Sequence, residues 1–402
     1  MASAPSSESM EGRPEGHTGP VAKKETESLL REGIASFQAG EEARALARFK
    51  KAYLLSGHLG EPHTRATCLF NLGATYVATG QAEKGLKCLK KAGRLTGERD
   101  PGLYFNLAMA YDNLGEPQRA AEFYRKALRG YSASQGRGVG DALVKLSYSL
   151  GSLGEAPLAA RSFLLAGQTY QRLQLPEEAA MAFREAANYL LRSPESSQDE
   201  VLGALRACSQ SCARITNQNL QGKLYNDLGL HYAQTGLFRL AERYFHEALQ
   251  LCRRDNVSGQ ERAVLLQNLG AVYNALEQFE RALSFHSEAA DVYGALGASQ
   301  RTAQAQCLYN LATAHVRLKN YSSAEFYYQQ TQKAFAETGD SSGEALTCEA
   351  LGATHFSQGH LDRAVGYYKQ ALKLFGKAKE TPEVHKEQIR EKLAAIAQLS
   401  SS

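Results

Sequence analysis

The sequence predicts an all-α protein, a solenoid of stacked antiparallel helix pairs with about nine pairs and one closing C-terminal helix. Three observations carry that expectation. Short markers recur at a period near 40 residues along most of the 402-residue chain. Inside each unit the apolar residues fall three and four apart, as on the buried stripe of an amphipathic helix. Glycine is frequent, 35 residues against 10 Pro, and stands where most of the first helices have to stop.

The markers are specific. Gly40, Gly80 and Gly115 are each followed five residues later by a small residue, Ala45, Gly85 and Ala120. A large apolar residue comes four further on (Phe49, Leu89, Tyr124), and an alanine three beyond that (Ala52, Ala92, Ala127). The same order appears in Gly154–Ala159–Phe163–Ala166, Gly236–Ala241–Phe245–Ala248 and Gly359–Ala364–Tyr368–Ala371. Two copies lack the glycine, Ala282 to Ala289 and Ala324 with Tyr328. Upstream of the turn runs a second signature: Asn71-Leu72-Gly73 with Tyr76, Asn106-Leu107-Ala108 with Tyr111, and Asn268-Leu269-Gly270 with Tyr273. Asp227 begins a variant of it, and Asn310-Leu311-Ala312 ends on His315 instead of tyrosine. The small residue after the turn falls at 45, 85, 120, 159, 241, 282, 324 and 364, so the one gap of 82 hides a repeat between 168 and 220. Fixed periods of this length signal stacked repeats.

The spacing has a mechanical reason. Small residues at the eighth place of the first helix and the twentieth of the unit let two backbones approach closely. Tyrosine or phenylalanine at the eleventh and twenty-fourth places fills the remaining space. Glycine at the fifteenth place takes the left-handed conformation that ends the first helix. One pair cannot bury its apolar face alone, whereas stacked neighbours share a core. The whole length therefore belongs to one array rather than to two or three globular domains.

These residues, as in LYNDLGLHYAQTGLFRLAERYFHEAL (224–249) and CEALGATHFSQGHLDRAVGYYKQAL (348–372), resemble the tetratricopeptide repeat, over roughly residues 23–380. The standard unit has 34 residues. The longer unit here is similar to that of polarity and signalling scaffolds. The Trp often seen early in the repeat is absent, its place taken by Leu69, Tyr104, Leu143, Tyr225, Leu266 and Leu308. The resemblance implies a right-handed superhelix whose first helices line a concave groove, and a protein partner lying in it.

In chain order the expected pairs are 23–57, 63–97, 101–132, 139–173, 176–215, 220–254, 261–298, 302–338 and 343–378. The fifth is ambiguous. Its first helix, 176–192, carries second-helix markers (Ala179, Phe183, Ala186), while Gly167 and Tyr170 upstream imitate a first helix. Three helices in a shifted register are the alternative. After Pro382 a stripe through Ile389, Leu393, Ile396 and Leu399 reads as a capping helix. Residues 1–22, rich in Ser, Pro, Gly and Glu, read as a disordered tail.

Composition and motifs bound the function. Hydrophobic residues make up 43% and no apolar run is long enough to span a membrane. With no secretory signal and seven scattered cysteines, an intracellular, cytoplasmic setting with free thiols is expected. The net charge of +4 does not call for nucleic acid or an anionic membrane. No phosphate loop, nucleophile elbow or zinc motif occurs, so neither enzyme activity nor a cofactor or metal is expected. Gly136-Arg-Gly138-Val-Gly140 follows a helix rather than a strand and reads as a connector. Cys208 and Cys212, four apart, read as buried structural thiols, and His315 and His355 as packing residues.

What remains is the groove that the resemblance implies. Its sixth place reads Asn71, Asn106, Lys145, Asp227, Asn268 and Asn310. An asparagine amide both donates and accepts, which suits an extended peptide backbone. Lys223, Asn226, Gln267, Asn274, Gln306 and Arg317 at neighbouring places would add selectivity. The competing account is that these amides only bond adjacent helices. A chaperone adaptor would need the family's carboxylate clamp, of which Asn106 and Lys145 match while Phe70, Ala74 and Asp141 do not. A helical-repeat RNA binder would need a basic, aromatic groove, and these positions mix Asp, Asn and apolar residues. The expectation is a non-enzymatic scaffold holding an extended or helical protein segment.

Overall fold

The computed structural model describes residues 19–96, 100–131, 136–254, 259–377 and 383–401, which hold nineteen α-helices, one 3-10 turn at Ala298–Gln300 and no strand. The expected tail lies outside the described residues up to 18; at Gly19, four residues earlier than expected, the first helix has begun. The chain divides into two compact units, residues 1–204 and 205–402.

Unit 1 contains α1 (Gly19–Gln38), α2 (Glu42–Ser56), α3 (Pro62–Ala78), α4 (Ala82–Thr96), α5 (Pro101–Asn113), α6 (Pro117–Gly130), α7 (Gly136–Ser152), α8 (Ala156–Arg172) and α9 (Pro176–Arg192). α10 (Gln198–Cys212) carries the division. Unit 2 contains α11 (Gln218–Gln234), α12 (Phe238–Arg254), α13 (Gly259–Ala275), α14 (Phe279–Ala295), α15 (Arg301–Arg317), α16 (Tyr321–Thr338), α17 (Ser341–Ser357), α18 (Leu361–Phe375) and α19 (Glu383–Ser401). From α1 to α9 in unit 1 and from α11 to α19 in unit 2, each helix packs on the next. The architecture is an all-α helical-repeat solenoid.

The eighth and twenty-fourth places meet as the spacing requires. A Cβ added at Gly229 would stand 2.5 Å from the ring of Phe245, and one at Gly73 would stand 2.8 Å from Leu89. Only hydrogen fits there, so the Phe245 ring and the Leu89 side chain each lie directly on the facing backbone. Gly236 ends α11 with φ 76°, the left-handed conformation its place demands. Where the glycine is missing, the turn keeps that conformation at a cost: Glu277 and Lys319 have φ 57° and 60°.

The ambiguous middle resolves through α8. Gly167 of α8 faces Phe183 of α9, with a built Cβ 2.6 Å from the ring, and Gln174 between them has φ 58°. α9 thus packs on α8 as a second helix, and 176–215 is not a clean pair. Phe163, one turn before Gly167 on the same helix, lies edge-on to Tyr148 of α7 with ring centres 5.1 Å apart and stacks on Tyr189 of α9 at 5.7 Å. One helix serves two hairpins, the shifted register rather than the ordinary one.

Gly136 to Gly140 differ from the expected connector, because they form the first turns of α7. The Tyr170 ring fills the place of a Cβ at Gly140, 2.6 Å away. α19 covers the end of unit 2 with Ile389 and Ile396 buried and Leu393 half-buried against Tyr368 and Phe375. The Leu399 side chain lies outside the described ones. All seven cysteines are free thiols, and Cys208 and Cys212 are buried with their sulfurs 3.9 Å apart.

Candidate partner-binding face

The groove positions lie on the first helices, α3, α5 and α7 in unit 1 and α11, α13 and α15 in unit 2. Consecutive first helices touch one another within a unit, α3 with α5 and α11 with α13 for example. In unit 1 Asn71 and Asn106 are half-buried, and each donates to the carbonyl four residues back on its own helix, Thr67 and Gly102, at 2.9 Å. Lys145 is exposed on α7.

In unit 2 the Asn268 and Gln267 amides connect helices. Asn268 Nδ2 donates to Asn226 Oδ1 at 3.0 Å, from α13 to α11. Lys223 pairs with Glu261 across the same two helices at 3.5 Å. Asn310 accepts from Gln306 at 3.4 Å within α15. Gln267 Oε1 accepts from the Tyr293 hydroxyl at 3.3 Å. Arg317 is exposed, paired with Glu277 at 3.3 Å and lying over the Phe279 ring. Asp227 is half-buried on α11.

Asn274 is committed elsewhere. Its amide donates to Nε2 of the fully buried His286 at 3.1 Å. Burial holds the His286 pKa down at about 4. His286 occupies the twenty-fourth place against Gly270, where other repeats carry Phe, Leu or Tyr. The eleventh-place histidines pack as expected: His315 stacks on Tyr327 and His355 on Tyr367, each with ring centres 5.4 Å apart. Burial lowers both pKa values.

Sequence reasoning missed a set of carboxylates that tie the repeats together. Asp112 Oδ2 accepts from Tyr124 OH at 2.9 Å and Oδ1 from Ser149 Oγ at 2.8 Å, joining α5, α6 and α7. Burial raises its pKa, opposed by these two bonds and by the charge of Lys145. Asp141, which stands where a chaperone clamp needs lysine, accepts from the buried Tyr170 at 2.6 Å. Glu242 accepts from Tyr273 at 2.9 Å, and His246 lies 3.1 Å from that same hydroxyl. The available signal was the phenol itself: a buried Tyr hydroxyl needs a partner.

Comparison with known proteins places these helices. Residues 220–294, 260–337 and 307–377 match a sequence model described as Tetratricopeptide repeat, and residues 101–129 match another of the same description. Among solved structures the chain is similar to a Signal Transduction ATPase with Numerous Domains protein with a tetratricopeptide repeat sensor, from Pyrococcus horikoshii. The TM-score is 0.52 and the identity 14%, over 88% of this chain and 53% of that one. The chain thus spans about half the length of that protein. It is also similar to the apo form of RapI, with TM-score 0.55 and 14% identity over 88% of this chain and 98% of that one. At such identities the likeness concerns the fold.

Proposed function

Since this chain belongs to the tetratricopeptide repeat proteins, whose fold serves as a protein-interaction scaffold, we propose that it holds an extended or helical segment of a partner protein against its first helices. It acts without catalysis, in the cytoplasm. The observation that carries the reading is the placement of Asn226, Asn268 and Asn310 on three successive first helices of unit 2. Each is half-buried, and a primary amide offers two donors and two acceptor lone pairs. The bonds at Asn268 and Asn310 use one donor and one acceptor, so both side chains keep capacity for a peptide backbone. Asn71 and Asn106 likewise keep one donor and the carbonyl oxygen beyond their bonds to their own helices. Lys223 and Arg317 frame this face with charge.

The test is proximity labelling with the intact chain and with Asn106→Ala/Asn268→Ala/Asn310→Ala. Loss of a defined set of labelled proteins, with helical content unchanged, supports the reading. An identical labelled set sinks it.

A further inference from the structure

The net charge of +4 conceals an uneven distribution. In unit 1 the second helices α2, α4, α6 and α8 carry fifteen Lys and Arg against three Glu. Their counterparts in unit 2, α12, α14, α16 and α18, carry nine against eight Asp and Glu. Arg44, Arg48, Lys51, Arg119 and Lys126 are ion-paired with neighbouring glutamates. The five cations of α4 (Lys84, Lys87, Lys90, Lys91 and Arg94) are all exposed and enter no ion pair among the described residues.

Shared tyrosines gather these charges. Lys50 of α2 and Lys84 of α4 lie 5.7 and 5.8 Å from the ring centre of Tyr76. Lys90 of α4 and Arg119 of α6 lie 5.5 and 5.6 Å from that of Tyr111. Cations from consecutive second helices therefore converge on one face of unit 1.

Leucines stand among them. Leu54 is 69% exposed, three and four residues beyond Lys51 and Lys50, and Leu95 is 40% exposed, four beyond Lys91. Those spacings put each leucine on the same helix face as its lysine. A nucleic-acid backbone or a peptide of acidic residues alone satisfies the cations and leaves the leucines wet. A bilayer with acidic headgroups accommodates both, cations at the phosphates and leucines at the acyl boundary. No helix in the described residues is long and apolar enough to cross a membrane, so the contact is peripheral.

We propose that the face formed by α2, α4 and α6 docks on an anionic phospholipid surface. Cosedimentation of the full chain with vesicles of phosphatidylcholine alone, and of phosphatidylcholine and phosphatidylserine at about four to one, tests it. Binding is expected to the serine-containing vesicles only. Lys87→Glu/Lys91→Glu/Arg94→Glu should lower it at least about tenfold. Leu54→Ser/Leu95→Ser, which leaves charge unchanged, should lower it several-fold, with helical content unaltered in both variants. Absence of binding to the acidic vesicles overturns the proposal. So does binding that the leucine variant leaves unchanged and that polyuridylate or polyglutamate abolishes, a result pointing to nucleic acid or an acidic protein.

Discussion

Asn268 donates its side-chain amide to Asn226 across 3.0 Å, a rung between α13 and α11 that the repeat period makes possible. A hydrogen bond of this kind contributes about 1 kcal/mol. Asn268→Ala should therefore lower unfolding stability by about that amount in urea titrations. Combined with Asn226→Ala it should cost less than the two single losses added. Strict additivity would mean that the rung contributes nothing.

Phe245 fixes the identity of residue 229. With a Cβ only 2.5 Å from the ring, Gly229→Ala forces the helices apart and should cost about 1–3 kcal/mol. Gly366 in α18 is the control, exposed and with nothing within 4 Å of its Cβ position. There Gly366→Ala should stabilise by up to about 1 kcal/mol through helix propensity. Thermal midpoints moving the same way in both variants would contradict the packing account.

Lys319 holds a left-handed backbone, φ 60°, at the place Gly236 fills in its own repeat. Lys319→Gly should gain about 1 kcal/mol and Gly236→Ala should lose about as much. Chemical denaturation of both variants checks the opposite signs.

His286 makes stability depend on pH. Its pKa falls from 6.5 to about 4 on folding because burial disfavours the charged ring. The unfolded chain therefore takes up a proton first as pH drops. The stabilisation is complete above pH 6.5 and is lost progressively toward pH 4, roughly 3 kcal/mol in all. His286→Phe should flatten that part of the stability profile between pH 7 and pH 4. An unchanged slope would show that His286 does not titrate as placed.

The period was readable because sterics enforce it: Gly229 and Phe245 stay sixteen residues apart as long as two helices must touch. The same sterics explain where reading stopped. In α8 the pattern serves both neighbours, since Phe163 meets Tyr148 of α7 as well as Tyr189 of α9 while Gly167 meets Phe183 of α9, so first-helix and second-helix markers overlap in one helix. The glycines of 136–140 looked like a loop because the Tyr170 ring that requires Gly140 is thirty residues away. At the candidate face the asparagine positions were legible as a column. Which amides point into the repeat was not, because Asn274 turns toward His286, a residue whose place normally holds an apolar side chain. The Asp112 link among Tyr124 and Ser149 carries no local signature, since its partners come from two other helices.

The most direct test of the scaffold reading is partner capture by the intact chain and by Asn106→Ala/Asn268→Ala/Asn310→Ala, compared by quantitative proximity labelling at matched expression and matched helical content. The account predicts that a discrete set of proteins labelled by the intact chain drops to background in the triple variant. A labelling profile that does not change would contradict it.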